Sequence, residues 1–320
     1  MKIVVMDGRG VNPGDLDWKL FEELGQVTVY DRTPFENEAE TLRRTKGAEV
    51  VLINKTVMTE GLMQKLRPEL QYIGVLATGY NVVDLEAAKR LGITVTNIPS
   101  YSTPAVAQFT FGLILELCLR IGDHNRSVKR GDWENCPDFC YWNTPQVELA
   151  GKTLGIIGYG SIGKSVAKIA DAFGMKVIAH TRTPKEDAIA KMVDLDTLLS
   201  QSDIISLHCP LLTENTGLIN RETIAKMKDG VLLINTARGP LIDEQDLADA
   251  LRSGKVAGAA MDVLCKEPAD PDNPLIPLEN CIVTPHMAWA PTASRIRLLQ
   301  IAADNLQSFL QGKPKNVVNP

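Results

Sequence analysis

The sequence has no run of basic residues long enough to neutralise a phosphate backbone. Its 34 Lys and Arg against 39 Asp and Glu leave a formal net charge of −5 over 320 residues, which disfavours a nucleic-acid partner. No stretch reaches the roughly 18 apolar residues of a membrane span, and the opening MKIVVMDGRG lacks the apolar core of a secretory leader. The expectation is a cytoplasmic protein without a membrane partner. Cysteines number only six, at 118, 136, 140, 209, 265 and 281. They are scattered, several within apolar strand-like runs, which excludes a disulfide framework and implies reduced thiols. Cys136 and Cys140 have the spacing of half a metal site, but no CxxC pair or spaced His pair completes it, so no metal is expected. Repeats and low-complexity segments are missing. With 44% hydrophobic and 23% charged residues, the chain is neither disordered nor coiled coil, and its length suits two domains.

What the sequence does contain is alternation. Short β-branched runs (KIVVMD, VTVYD, EVVLIN, LQYIGVLA, ITVTNIP) are separated by helix-like segments such as TEGLMQKL, the pattern of a parallel sheet with helices on its faces. The pattern breaks at 102–120, where TPAVAQFTFGLILELCLR predicts one long apolar helix that begins with Thr103 and Pro104. The aromatic stretch GDWENCPDFCYWNTPQ follows, suited to covering a neighbouring domain or subunit. A second alternating array starts at Lys152 (KTLGIIGYG, MKVIAHT, SDIISLHCP, GVLLINTA, VAGAAMDV, NCIVTPH). A final helix, TASRIRLLQIAADNLQSFLQG, is suited to completing the first domain. The predicted organisation is a domain of residues 101–290 inserted in a host made of 1–100 and 291–320.

Gly158-Tyr-Gly160-Ser-Ile-Gly163 follows an apolar strand and opens an amphipathic helix, the context in which GxGxxG means dinucleotide binding. The first glycine permits the tight turn, the second lets backbone approach a pyrophosphate, and the third allows close helix packing. The helix N-terminus then faces the anion. At the end of the next strand an NAD site carries an acid for the ribose hydroxyls, whereas an NADP site omits it and supplies a cation. Here the residues are His180-Thr181-Arg182-Thr183-Pro184-Lys185. Arg182 is suited to a two-pronged phosphate contact and the threonines offer hydroxyls, so NADP(H) is favoured. The alternative is NAD(H), with Arg182 a solvated loop cation.

Three polar residues stand at or just after later strand ends: Arg238 in NTARGP, Glu267 in CKEPAD and His286 in VTPHMAW. In doubly wound sheets ligands bind outside the carboxyl ends of strands, so such residues converge on one crevice. Imidazole exchanges a proton near neutral pH, a neighbouring carboxylate orients it and favours its charged form, and guanidinium grips a carboxylate and polarises a carbonyl. Beside a nicotinamide site the set suits carbonyl reduction by hydride. Taken singly, each has a plainer reading: a turn histidine, a loop acid before Pro268, a surface cation.

Over nearly its whole length the chain resembles the D-isomer-specific 2-hydroxyacid dehydrogenases. The resemblance is carried by GVLATGYNVVDLEAAKRLGITVTNIP, STPAVAQFTFGLILEL, ELAGKTLGIIGYGSIGKSVA, HCPLLTENTGLIN, LLINTARGPLIDEQDLADAL, AAMDVLCKEP and TPHMAW. It implies an α/β fold of two doubly wound parallel-sheet domains, a Rossmann dinucleotide-binding domain inserted in a flavodoxin-like substrate domain. It implies that His286 protonates the substrate oxygen, that Glu267 orients His286, and that Arg238 binds carboxylate and carbonyl. Ala77, Thr78 and Gly79 match the loop whose amides hold the substrate carboxylate. Thr103, Ser161, Ile162, His208, Pro210, Thr236, Ala237 and Asp262 match cofactor-contacting positions. ATGYN, Gln108 and PHMAW with Trp289 look like the glycerate dehydrogenase and hydroxypyruvate or glyoxylate reductase group, whose members are usually homodimers joined through the cofactor domains. The segments at 103–145 are assigned to that contact. Other 2-keto acids, such as pyruvate, branched-chain keto acids or phosphohydroxypyruvate, stay open as substrates. So does a dinucleotide-sensing role like that of the C-terminal binding protein corepressors.

Overall fold

Residues with branched or aromatic side chains, short of charge and bounded by glycine and polar turns, form the strands of the first hundred residues. These are β1 (Lys2–Val5), β2 (Gln26–Val29), β3 (Val50–Ile53), β4 (Tyr72–Val75) and β5 (Thr94–Thr96). The structure, a computed structural model, describes residues 1–34, 37–183 and 186–320. It divides into two units, Met1–Ser102 with Ala290–Pro320, and Thr103–Trp289.

In the first unit all strand pairs are parallel and the order is β2-β1-β3-β4-β5, the flavodoxin-like arrangement. β3 and β4 are buried at every position, as central strands covered on both faces must be. The last helix, Thr292–Leu310, belongs to this unit. Its Phe309 ring lies 4.9 Å from that of Tyr72, and Arg295 makes a two-pronged contact with Asp15 at 2.7 and 2.6 Å. Past the helix, the Val318 amide donates to the Val95 carbonyl. At the carboxyl edge of the sheet the buried Asp7 carboxylate accepts the amides of Asn54, Lys55 and Thr56 at 3.0, 2.9 and 2.9 Å, and the Thr56 hydroxyl. One side chain after β1 thereby fixes the loop after β3.

The second unit holds β6 (Thr153–Ile157), β7 (Lys176–His180), β8 (Ala190–Met192), β9 (Ile204–Leu207), β10 (Val231–Asn235), β11 (Val256–Met261) and β12 (Cys281–Val283). Every pair is parallel, in the order β12-β11-β10-β9-β6-β7-β8. Read from β6, this is the Rossmann order extended by one strand, with its reversal between β6 and β9. The edge strand β8 was not expected from the sequence: AKM is three residues long and carries no alternation. Helix Thr103–Leu119 is mostly apolar because it is largely a core element, burying Ala107, Phe111, Ile114 and Cys118 and exposing Gln108. Among the described residues no single helix is long and apolar enough to cross a membrane. Residues 131–145 contain no regular element. They leave Trp133, Phe139 and Trp142 exposed at 51%, 89% and 66%.

Replacing Asp7 by Ala strands three amides that are partly or fully buried. At about 1–3 kcal/mol for each unsatisfied buried group, partly relieved by water, the expected loss of stability is about 2–4 kcal/mol. Urea unfolding followed by Trp18 fluorescence in a chain with Trp133, Trp142 and Trp289 replaced by Phe checks this, since those three lie in the second unit. An unchanged midpoint would show that the clamp contributes nothing.

Candidate active site

Where the strand order reverses, two loops meet with no room for a side chain. Gly158 follows β6 at φ +98, and a Cβ there would lie 2.4 Å from the Cys209 amide nitrogen and 2.5 Å from the His208 carbonyl carbon. A Cβ on Gly163 would lie 2.3 Å from the Gly158 oxygen. Both glycines are therefore demanded by the turn itself. Gly160 differs: nothing lies within 4 Å of its Cβ position, and it caps helix Ser161–Ala172, whose first residues are Ser161 and Ile162. Backbone facing open space at a helix N-terminus suits a close-approaching anion.

His208, just after β9, adds a second fitting feature. Its Nε2 lies 2.9 Å from the Ser206 hydroxyl, while Nδ1 is buried without a hydrogen-bond partner among the described residues. Burial pushes the ring's pKa down to about 3, so it is a neutral imidazole with one polar nitrogen unused. An orphaned polar atom at the switch point is what a bound dinucleotide would satisfy. Thr181 and Arg182 directly follow β7, with Arg182 exposed; Pro184 and Lys185 lie outside the described residues. After β10, the Thr236 hydroxyl is 3.1 Å from that of Thr110 and the Ala237 amide donates to Asn235. The Pro210 carbonyl accepts from Asn215, and Thr103 is the first residue of its helix.

His286 is held in place from behind. Asp262, 1% exposed at the end of β11, accepts the Thr284 hydroxyl at 2.7 Å and the amides of Met287 and Ala288 at 2.9 Å. Its own carbonyl accepts the His286 amide. Burial keeps the Asp262 carboxyl above its ordinary pKa in spite of these donors. The turn they impose holds His286 at φ +51, a conformation that a non-glycine residue adopts only when its surroundings enforce it. Its Nδ1 then lies 2.7 Å from Glu267 Oε2, both side chains about one-third exposed. Glu267 Oε1 accepts the Leu264 amide at 3.2 Å. With Nδ1 donating to the carboxylate, Nε2 is the nitrogen left for proton exchange.

His286 and Glu267 are thus brought into contact. The guanidinium of Arg238 instead donates to the Ala237 carbonyl at 2.7 Å. Its loop nonetheless abuts the Glu267 loop, because a Cβ on Gly239 would lie 2.0 Å from the Leu264 carbonyl carbon. Asp262, matched to a cofactor position by the resemblance, has its carboxylate occupied by the turn that carries His286. In the first unit, Thr78 donates to the Ile98 carbonyl, Ile98 donates to the Ala77 carbonyl, and Asn97 donates to the Thr78 carbonyl. These bonds tie Ala77 and Thr78, with Gly79 the next residue, into the loop after β4. Among the described residues no cluster of three metal-ligating side chains occurs, and all six cysteines are free.

A family model, D-isomer specific 2-hydroxyacid dehydrogenase, NAD binding domain, matches residues 111–288. A hydroxypyruvate reductase of Blautia hydrogenotrophica is 54% identical over 322 residues, covering 100% of both chains. A glycerate dehydrogenase of Methylorubrum extorquens is 46% identical over 281 residues, covering 87% of this chain and 88% of its own. Among solved structures, an acyclic imino acid reductase in complex with NADPH and D-Arg superposes with a TM-score of 0.88. It is 32% identical and covers 99% of this chain and 100% of its own.

The buried neutral state of His208 has a measurable sign. Its folded pKa lies below the ordinary value of 6.5, so between about pH 6.5 and 3 the unfolded chain binds a proton that the folded ring refuses. Stability is expected to fall as pH drops through that window. A His208→Gln variant should lose less of its melting temperature between pH 7 and 4.5 than the wild type; equal losses would show that the ring is not held neutral.

Proposed function

The chain belongs to the D-isomer-specific 2-hydroxyacid dehydrogenase family, within its hydroxypyruvate reductase and glycerate dehydrogenase group, and from that premise we propose that it reduces hydroxypyruvate or glyoxylate to the 2-hydroxy acid and catalyses the reverse oxidation. The observation that carries the reading of the site is the 2.7 Å contact between His286 Nδ1 and Glu267. A nicotinamide dinucleotide, when bound, supplies the hydride in reduction and accepts it in oxidation. His286 gives the proton to the carbonyl oxygen from Nε2 and takes it back in oxidation. Glu267, accepting from Nδ1, holds the ring in the orientation this requires. Arg238, released from Ala237, grips the substrate carboxylate in two-pronged fashion and polarises the carbonyl. The amides of Thr78 and Gly79, with Ala77, are assigned to the carboxylate by the family resemblance.

For the cofactor we favour NADP(H), held through its 2′-phosphate by Arg182 with Thr181, since no acid stands at the end of β7. Gly158, Gly160, Ser161, Ile162 and Gly163 form the pyrophosphate turn, with Thr103, His208, Pro210, Thr236 and Ala237 around the remainder. For quaternary structure we favour a homodimer through 103–145. Its support is the run of exposed Trp133, Phe139 and Trp142, more apolar surface than a polar loop needs.

The reading is tested by initial rates with hydroxypyruvate, glyoxylate, pyruvate and 2-ketoisocaproate, each with NADPH and NADH. Preference for either of the first two with NADPH is expected. Arg182→Ala should raise the KM for NADPH about tenfold and leave NADH alone, and equal effects on both would make Arg182 a plain loop cation. His286→Ala should cost about 10²–10⁴ in kcat, and unchanged turnover would remove the mechanism. Reduction should weaken as pH rises and oxidation as it falls, because they need opposite states of the ring; matching profiles would count against His286 as proton donor. Sedimentation velocity should show a dimer that Trp142→Glu dissociates, and a wild-type monomer would refute the interface.

A further inference from the structure

The Arg238 loop and the Glu267 loop are joined by a side chain to which the proposed chemistry gives no role. Glu244 is the first residue of helix Glu244–Ser253, reached from Arg238 through one short turn. Its Oε1 accepts the amide of Cys265 at 2.8 Å, and its Oε2 accepts Asn273 Nδ2 at 2.8 Å. These two partners flank Glu267 in sequence, one just before it and one at the far end of the same loop. Asn273 is 7% exposed. Its Oδ1 accepts the Leu275 amide at 3.0 Å, which fixes the amide so that Nδ2 faces Glu244. The same two loops also touch where Gly239 has no room for a Cβ against Leu264 and Cys265. Cys265 Sγ lies 3.7 Å from the Ile242 carbonyl.

A first-turn acid serves the helix dipole wherever it points. That role does not require both carboxylate oxygens to be engaged with a loop twenty or more residues further along the chain. We propose that Glu244 is a positioning residue: by gripping Cys265 and Asn273 it sets the height of the Glu267 loop against the Arg238 loop, and so the contact of Glu267 with His286. The inference rests on the reading of Glu267 as the partner of His286. A carboxylate displaced by a fraction of an ångström from Nδ1 no longer orients the ring, and small misplacements of this kind are costly in rate.

The pairing is directional, which supplies the test. In Glu244→Gln the Cys265 amide is still accepted, but the new Nε2 meets Asn273 Nδ2, two donors facing each other. Adding Asn273→Asp reverses that polarity and restores a complete set, because one oxygen of the introduced carboxylate accepts the new Nε2 while the other still accepts the Leu275 amide. Glu244→Gln is expected to lower kcat for reduction about tenfold, leave the KM for the dinucleotide unchanged, and move the loss of reduction at high pH to lower pH. Glu244→Gln/Asn273→Asp is expected to recover kcat to within about threefold of wild type and to return the pH profile. Glu267→Gln is measured beside them. A wild-type profile in Glu267→Gln overturns the role of Glu267 itself. A displaced profile there, with wild-type rates and profile in Glu244→Gln, overturns only this inference. A folded double variant no better than Glu244→Gln also overturns it. If Glu244→Gln does not fold, Asn273→Ser, which cuts one of the two ties, is expected to show the same displacement at about threefold in kcat, and wild-type behaviour in that variant is equally decisive against it.

Discussion

In both units the strands run in one direction only, and that constraint organises the rest. A parallel sheet delivers the last residue of every strand to the same edge, where the ladder stops and backbone amides need other acceptors. Each unit meets the need with a buried aspartate. Asp7, after β1, takes three amides from the loop after β3. Asp262, after β11, takes two amides and a hydroxyl from the turn after β12. Of the two, Asp262 also shapes the turn in which His286 sits, so there the sheet edge and the candidate site share the same atoms.

The site shows a division of labour among carboxylates. Asp262 is buried and pinned, and its work is conformational: it forces His286 to φ +51, a cost that its hydrogen bonds outweigh. Glu267 is about one-third exposed and meets the ring directly, its Oε2 2.7 Å from Nδ1. Arg238 rests on the carbonyl of its own neighbour Ala237. The chain thus combines a histidine held on several sides with a guanidinium held by a single backbone oxygen.

Much of this was legible beforehand, for definite reasons. GxGxxG and the strand-terminal Arg238, Glu267 and His286 could be read because each belongs to a local pattern, a strand ending in a turn. The two sheets could be read because apolar runs of four or more residues alternate with helical periodicity. β8 could not, because Ala190–Met192 contains no β-branched residue. Nor could the tasks of Asp262 and Glu244, since a carboxylate that accepts distant amides has the same letter as one that faces solvent. Asn273 is twenty-nine residues from Glu244, in a loop whose composition suggests only turns. The geometric demand on Gly239 was equally hidden, because its neighbours come from the loop after the next strand.

The insertion of one unit within the other has a consequence for how the chain is made. The first five strands leave the ribosome early, but the helix that packs Phe309 against Tyr72 and Arg295 against Asp15 is encoded beyond residue 290. At about 5–20 residues per second, the intervening 103–289 segment takes on the order of ten to forty seconds to synthesise. Until the interval ends the first sheet lacks the helix that packs on Tyr72, whereas the inserted unit has every residue it needs as soon as its own segment is made. The length of the insert therefore sets the least time that must pass between synthesis of the first five strands and arrival of the helix that covers them.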